Sequence, residues 1–177
     1  MIEIPFSKKK IIRFIINSCS ITVIGLALEY IAYSNYSFKI INQNLAFTKF
    51  IAVIMIAFGI MGIIINYKRT KLKYPGFIIS NEGIMDKSNN LNIGLIEWKD
   101  VTEILTIVKK GYVFIIIQVR DNSKYINGNL FKKAFLFFYV IFYKSPIVIT
   151  GNTLEIESGK LYSILLENYK LNKVPNS

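Results

Sequence analysis

Two ionisable residues, Glu29 and Lys49, stand within otherwise apolar stretches of the sequence. Charge is costly in hydrocarbon, so such residues often form ion pairs or line a transport path. Glu29 follows Lys10 by nineteen residues and Lys49 precedes Lys68 by nineteen. In an antiparallel pair of helices both side chains would lie at the same level, near one surface. We predict an intramembrane ion pair, or two side chains that reach toward water, rather than a transport path.

The groups that usually carry catalysis are missing from the sequence. It has no histidine, and Cys19 is its one cysteine, so neither an intrachain disulfide nor a cysteine metal site can form. The glycines never assemble into a dinucleotide- or phosphate-binding fingerprint. Glu155 and Glu157 share one face of an extended segment, which is typical of solvated surface. The sequence therefore predicts a protein that is not an enzyme, with no cofactor and no metal site.

The positive charge is concentrated in the first part of the chain. The formal net charge is +11, and residues 1–73 hold ten Lys or Arg against two Glu, whereas residues 74–177 hold twelve basic against nine acidic residues. A nucleic-acid-binding protein would be expected to carry a basic face on its folded domain. The distribution instead indicates membrane flanks, and we predict no nucleic-acid partner.

Two apolar stretches are long enough to cross a bilayer, which takes about 20 residues. We predict transmembrane helices over residues 11–33 and 45–67, joined by an external loop over 34–44. The first apolar run is too long for the core of a cleaved signal peptide. Together the two stretches predict a membrane α-helical hairpin.

Basic residues flank the hairpin on one side. Residues 1–10 form a basic N-terminal segment, and a second basic cluster follows the second span, whereas the loop holds Lys39 alone. By the positive-inside rule both termini are cytoplasmic, and we predict a multi-pass protein of the cell inner membrane.

Residues 74–177 change to short β-rich segments separated by turns, which predicts a cytoplasmic α+β domain. Alternating and continuous apolar residues over Tyr112 to Arg120 predict a central strand. Leu161, Ile164, Leu165 and Tyr169 recur at helical spacing behind Ser158, a candidate N-cap. Antiparallel strands closed by a C-terminal helix predict a pleckstrin-homology-like (PH-like) antiparallel β barrel.

The stretch from Gly94 to Ile104 resembles the I-x-W-x-D-I-x-x-I signature of bacterial PH-like domains through Ile96, Trp98, Asp100 and Ile104. The opening Glu3-Ile4-Pro5-Phe6, the Gly83-Ile84 turn, Ser145-Pro146-Ile147 and Asn152-Thr153-Leu154 also resemble an uncharacterised bacterial family of two-span membrane proteins. The resemblance implies an architecture and no activity. In the signature we expect Trp98 to pack as an anchor in the barrel wall and Asp100 to hold a turn through backbone hydrogen bonds.

The segment from Leu130 to Lys144 is the least ordinary part of the domain. Its apolar core is too short to span, and lysines flank its aromatic residues, as in helices that lie in the headgroup region. The alternatives are a buried helix or strand of the domain, or a surface for a partner. Lys124 would add to the attraction of anionic lipid. The candidates for contact with the membrane or a partner are Phe131, Lys132, Lys133, Phe135 and Lys144.

These features favour a non-enzymatic membrane protein whose PH-like domain binds a protein or the anionic inner leaflet of the bilayer, with homo-oligomerisation through the hairpin as a further option. The chief alternative is an immunity-type protein that neutralises a toxin acting at or across the membrane. That alternative rests on analogy with other small two-span proteins. A small transporter component is a third hypothesis and would need Glu29 or Lys49 to line a path.

Overall fold

The structure, a computed structural model, describes residues 1–34, 45–89, 91–109 and 111–172. The chain divides into two compact units. The helical unit is Lys8–Leu72, and the second unit, the domain, combines Met1–Ser7 with the chain from Lys73 onward. The predicted external loop 34–44 lies, apart from Ser34, outside the described residues.

The helical unit contains α1 (Lys8–Tyr33) and α2 (Leu45–Thr70), each of 26 residues. At 1.5 Å per residue each is about 39 Å long, more than the hydrocarbon thickness of about 30 Å. Only 11% of the apolar window of each helix is buried, unlike the core helix of a soluble protein. Two helices long and apolar enough to cross a membrane are therefore present, beginning or ending three residues beyond the predicted spans.

Small residues let α1 and α2 approach closely. A Cβ atom on Gly25 would lie 3.1 Å from the Ala52 carbonyl oxygen, and one on Gly59 would lie 2.9 Å from the Ser18 carbonyl oxygen. Residues of increasing number in α1 contact residues of decreasing number in α2, so the two helices are antiparallel. Close packing at glycine and alanine is the usual way in which helices associate in lipid.

The first sheet of the domain has four antiparallel strands, and its edge strand comes from before α1. Residues 1–10 were predicted only as a basic segment, yet Ile4 pairs with Phe77 and Ile2 pairs with Ile79. The helical hairpin is thus inserted between the first two strands of this sheet. In order these are β1 (Ile2–Ile4), β2 (Phe77–Ile79), β3 (Gly83–Asp86) and β4 (Leu95–Glu97).

The second sheet has three antiparallel strands, β5 (Val101–Lys109), β6 (Tyr112–Val119) and β7 (Ile147–Thr150), in that order. The prediction of a central strand is confirmed, because β6 lies between the other two and Ile115, Ile116 and Ile117 are buried. The α+β organisation with two antiparallel sheets is likewise confirmed.

Two helices complete the domain, α3 (Leu130–Tyr143) and α4 (Ser158–Asn172). Helix α4 buries Leu161, Leu165 and Tyr169 in the domain core. Ser158 was predicted to cap this helix, but its hydroxyl accepts a hydrogen bond from the Gly151 N–H at 3.2 Å. The predicted helix is present, although its first residue fastens it to the end of β7.

Candidate functional site

Helix α3 has a defined beginning and end. The side chain of Asn129 accepts a hydrogen bond from the Lys132 N–H at 2.9 Å and caps the first turn. Lys144 ends the helix in a left-handed conformation with φ of 60°, and its N–H donates to the Val140 carbonyl. Fourteen residues make a helix about 21 Å long, which is too short to span a bilayer. The predicted segment is therefore a short helix, and the strand alternative is wrong.

The outer surface of α3 is apolar. Seven large apolar side chains are each at least half exposed, from 50% at Ile141 to 86% at Phe131. Ala134, also exposed, lies among them. Monomeric soluble proteins rarely expose contiguous apolar patches larger than a few hundred Å², and larger ones mark interaction sites. We call this surface the apolar face; it consists of Leu130, Phe131, Phe135, Phe137, Phe138, Ile141 and Phe142.

The side of α3 that contacts the domain carries its more polar groups. Leu136 is its one fully buried side chain, while Tyr139 and Tyr143 are partly buried. The Tyr143 ring stacks on Phe114 of β6 with centroids 6.3 Å apart, and Tyr139 lies between Tyr143 and Phe135. The helix therefore presents its phenol groups to the protein and its hydrocarbon side chains to the outside, the reverse of an ordinary surface helix.

The three predicted lysines of this segment have different environments. The Lys132 ammonium donates to the Asn92 carbonyl and to the Asn127 side chain, both at 2.9 Å, so it fastens α3 to the domain. Lys133 and Lys144 are exposed near the two ends of the helix. The structure thus brings Phe131, Phe135, Lys133 and Lys144 to the outer surface and turns Lys132 inward.

Burial also affects the hydroxyl of Tyr139. Desolvation raises the pKa of Tyr139, and the neighbouring Tyr143 and the negative charge of Asp86 raise it further. Asp86 is buried and accepts hydrogen bonds from the Ser88 N–H and hydroxyl and from the Asn89 amide. Tyr139 therefore stays protonated near neutral pH, which is typical of a structural group.

The signature residue Trp98 packs as predicted. Its side chain is 3% exposed, and its indole N–H donates to the Ser80 carbonyl at 2.8 Å. Its ring also lies 6.3 Å from that of Tyr169 on α4. Trp98 therefore ties the first sheet to the C-terminal helix.

Asp100 does not hold a turn through backbone bonds as expected. Its carboxylate accepts a hydrogen bond from the Tyr125 hydroxyl at 2.7 Å and pairs with Lys124, which also reaches Glu97 at 2.8 Å. The bond from Lys124, followed by that from Tyr125, lowers the pKa of Asp100. Lys124 was predicted to attract anionic lipid, but it is engaged by these two carboxylates. We call Glu97, Asp100, Lys124 and Tyr125 the charged cluster.

Glu29 lies on the stripe of α1 that faces α2. It follows Gly25 by four residues and precedes Ala32 by three, and both of these are buried. Lys49 occupies the matching stripe of α2, three residues before the buried Ala52. One carboxylate oxygen of Glu29, Oε2, is buried without a hydrogen-bond partner in the described part of the chain. The ion pair with Lys49 stays a prediction.

Other surfaces offer less chemistry. Among the described residues no group of three or more His, Cys, Asp or Glu could hold a metal ion. A cleft of about 500 Å³ lies over the first sheet and is lined mainly by apolar side chains, among them Met1, Ile78, Met85 and Leu95. Glu82 is the single carboxylate in its wall.

The turn between β5 and β6 carries exposed apolar residues that the sequence analysis did not single out. Ile107 is 37% exposed, Val108 68% and Tyr112 57%. We call these three residues the hairpin tip. The consecutive apolar residues Ile107 and Val108, just before Lys109 and the Lys110-Gly111 turn, were a signal, because one side of a solvated hairpin end is ordinarily polar.

Comparisons of the chain with family models, with curated proteins and with solved structures find no match. The resemblance to bacterial PH-like domains therefore stays a prediction from the residues that carry it. Among the surfaces described above, the apolar face of α3 departs furthest from an ordinary protein surface.

Proposed function

We propose that this protein is a non-enzymatic, membrane-anchored binding protein. Helices α1 and α2 span the inner membrane, and a PH-like domain on the cytoplasmic side binds a protein or the lipid surface through the apolar face of α3. The observation that carries the proposal is the exposure of seven large apolar side chains on one helix of an otherwise well-packed domain.

The connectivity of the first sheet supports a helical hairpin, formed by α1 and α2, that crosses the membrane twice. Strand β1 precedes α1 and pairs with β2, which follows α2. Two paired strands must lie on the same side of a bilayer, so the helices between them cross it an even number of times. The basic residues next to both helices, including Lys9 and Arg69, favour the cytoplasmic side.

The arrangement of strands supports the PH-like prediction. Four antiparallel strands precede three further antiparallel strands along the chain, and a C-terminal helix follows both sheets. Helix α4 packs Leu161, Leu165 and Tyr169 into the core that the two sheets share. A helix that covers one end of two such sheets is what the resemblance implies.

Photo-crosslinking in native membranes tests the proposal on the full-length chain. Phe138, 56% exposed on the apolar face, is replaced by p-benzoylphenylalanine, and Ser163, exposed on α4, receives the same group as a matched control. We expect adducts with protein or lipid at Phe138 well above those at Ser163. Equal labelling at the two positions would overturn α3 as the binding surface.

The fold of each variant can be checked in the same sample. Trp98 is the single tryptophan and is buried, so its fluorescence reports whether the domain is folded. A variant that keeps the emission maximum of the native protein has a folded domain, and its crosslinking result can be interpreted.

A further inference from the structure

The ends of three strands mark where the chain leaves the domain for the helical hairpin. Ile4, Phe77 and Asp86 are paired side by side across β1, β2 and β3. The chain departs for α1 soon after Ile4 and returns shortly before Phe77. The connection between β3 and β4 starts after Asp86, so it lies at this same end of the sheet.

Helix α3 is fastened to that end of the domain. Its Lys132 ammonium donates to the carbonyl of Asn92, which lies in the β3–β4 connection. The same connection is joined to the start of the hairpin, because the Thr153 hydroxyl donates to the Ser88 carbonyl and the Ser7 N–H donates to the Thr153 carbonyl. A short series of hydrogen bonds therefore joins α3 to the point where the chain leaves for α1.

The composition of the apolar face fits hydrocarbon better than a protein. Binding hot spots between proteins are enriched in Trp, Tyr and Arg, whose polar atoms find partners in the interface. The apolar face holds five Phe with Leu130 and Ile141, and none of these side chains can donate or accept a hydrogen bond. The tyrosines of α3 are turned toward the domain instead.

Positive charge stands at both ends of this face. Lys133 and Lys144 are exposed, and long basic side chains beside an apolar stripe reach the headgroup level of a bilayer. Anionic lipid of the cytoplasmic leaflet attracts such groups. The Lys132 ammonium is held by Asn92 and Asn127, so we assign the contact with the headgroups to the other two lysines.

The hairpin tip is connected to α3 by aromatic contact. Tyr143 at the end of α3 stacks on Phe114, and Phe114 is the cross-strand partner of Ile107 in the tip. Two pairs further along, Tyr112 lies opposite Lys109, which is exposed. The tip thus repeats the pattern of α3, with exposed apolar side chains next to a lysine.

From these contacts we infer that the occupant of the apolar face is the anionic bilayer surface to which the chain is anchored, and that the hairpin tip is a second insertion point on it. This inference rests on the proposed function and names its partner. The apolar face and the tip enter the headgroup region together, and Lys109, Lys133 and Lys144 contact anionic lipid.

Site-directed spin labelling of the full-length protein in lipid nanodiscs tests this inference. In a Cys19→Ser background, single nitroxides are attached at Phe138→Cys, at Val108→Cys and at Ser163→Cys, the last being the control on α4. Accessibility is measured to oxygen, which concentrates in lipid, and to a nickel chelate, which stays in water. Nanodiscs of phosphatidylcholine alone are compared with nanodiscs that also contain phosphatidylglycerol.

We expect the ratio of oxygen to nickel accessibility at Phe138→Cys and Val108→Cys to be several-fold above that at Ser163→Cys in the phosphatidylglycerol nanodiscs, and lower without anionic lipid. Equal ratios at Phe138→Cys and Ser163→Cys would overturn lipid as the occupant. A high ratio at Phe138→Cys with a control-like ratio at Val108→Cys would overturn the second insertion point. A high ratio that does not depend on phosphatidylglycerol would overturn the role of the lysines.

Lysine variants separate the electrostatic contribution from the fold. Lys109→Gln, Lys133→Gln and Lys144→Gln together should remove the dependence on phosphatidylglycerol and leave Trp98 fluorescence unchanged. Protein adducts at Phe138 in the crosslinking experiment, combined with a water-exposed nitroxide there, would leave the proposed binding surface standing and replace its partner by a protein. Absence of both signals would overturn the binding surface itself.

Discussion

Helices α3 and α4 are nearly equal in length, with 14 and 15 residues, and both belong to the domain. Helix α4 buries Leu161, Leu165 and Tyr169, and its exposed positions are mainly polar. Helix α3 buries Leu136 alone and exposes its apolar face. The large apolar residues of α4 are mostly packed in the domain core, whereas most of those of α3 stay exposed. Apolar content that stays outside the core after folding is the observation that favours α3 as the binding surface of the proposed function.

The largest effect on the free energy of unfolding should come from truncating one large apolar side chain on each of the two helices. We expect Leu165→Ala, at a fully buried position of α4, to lower the free energy of unfolding by about 2–5 kcal/mol, because it removes core contacts and leaves a cavity. Phe138→Ala on the apolar face should change it by no more than about 0.5 kcal/mol. Denaturant titration of the full-length chain in detergent, followed by Trp98 fluorescence, measures both. Comparable losses would mean that the apolar face is packed inside the protein, which would remove the contrast between the helices.

A second comparison uses adjacent lysines on α3. Lys132→Met removes two hydrogen bonds to the domain, and we expect a loss of about 1 kcal/mol in the free energy of unfolding. Lys133→Met removes an exposed charge and should stay within about 0.5 kcal/mol. The same titration distinguishes them. If Lys133→Met were the more damaging change, the helix would be rotated relative to the domain.

Acid should weaken the domain through the charged cluster. The bond from Lys124 holds the pKa of Asp100 below its usual value, so Asp100 stabilises the fold above its unfolded pKa of about 3.9. That contribution is lost as the pH falls through the lower folded pKa. We expect Asp100→Asn to be less stable than the native chain at neutral pH and to approach it in acid, measured by the denaturant midpoint. A constant difference at all pH values would show that Asp100 acts without its charge.

The smallest effect is expected for the two ionisable residues of helices α1 and α2. Glu29→Leu combined with Lys49→Leu should leave crosslinking at Phe138 unchanged, because the proposed binding surface lies in the other unit and does not include these residues. The experiment repeats the photo-crosslinking in the variant background. Loss of the adducts with the domain still folded would link the intramembrane charges to binding and would favour a role for them in a path through the bilayer.

Long, local patterns could be predicted from the sequence. The apolar stretches of α1 and α2 and the continuous apolar run of β6 each span eight residues or more. Their hydrophobic period and length are set by neighbouring residues alone. The same holds for the segment that forms α3, because its flanking lysines and its aromatic residues are neighbours in the sequence.

Features that depend on distant residues could not be predicted. Strand β1 has three residues and becomes a strand only because β2, more than seventy positions later, pairs with it. Asp100 accepts hydrogen bonds from Lys124 and Tyr125, which lie 24 and 25 residues later in the sequence, and not from its own turn. Which of Lys132 and Lys133 faces the protein is fixed by how α3 is rotated on the core, and adjacent residues of a helix point about 100° apart.

The insertion of the hairpin between β1 and β2 has a consequence for biosynthesis. Strand β1 is synthesised before β2, so it lacks its partner until both helices have been made. If only one of the two helices crossed the membrane, β1 and β2 would lie on opposite sides of it. The sheet would then lack its edge, and Ile4 would stay exposed. In the proposed topology, completion of the domain would thus be a check on correct insertion, since a chain with the wrong topology would lack the pairing of β1 with β2.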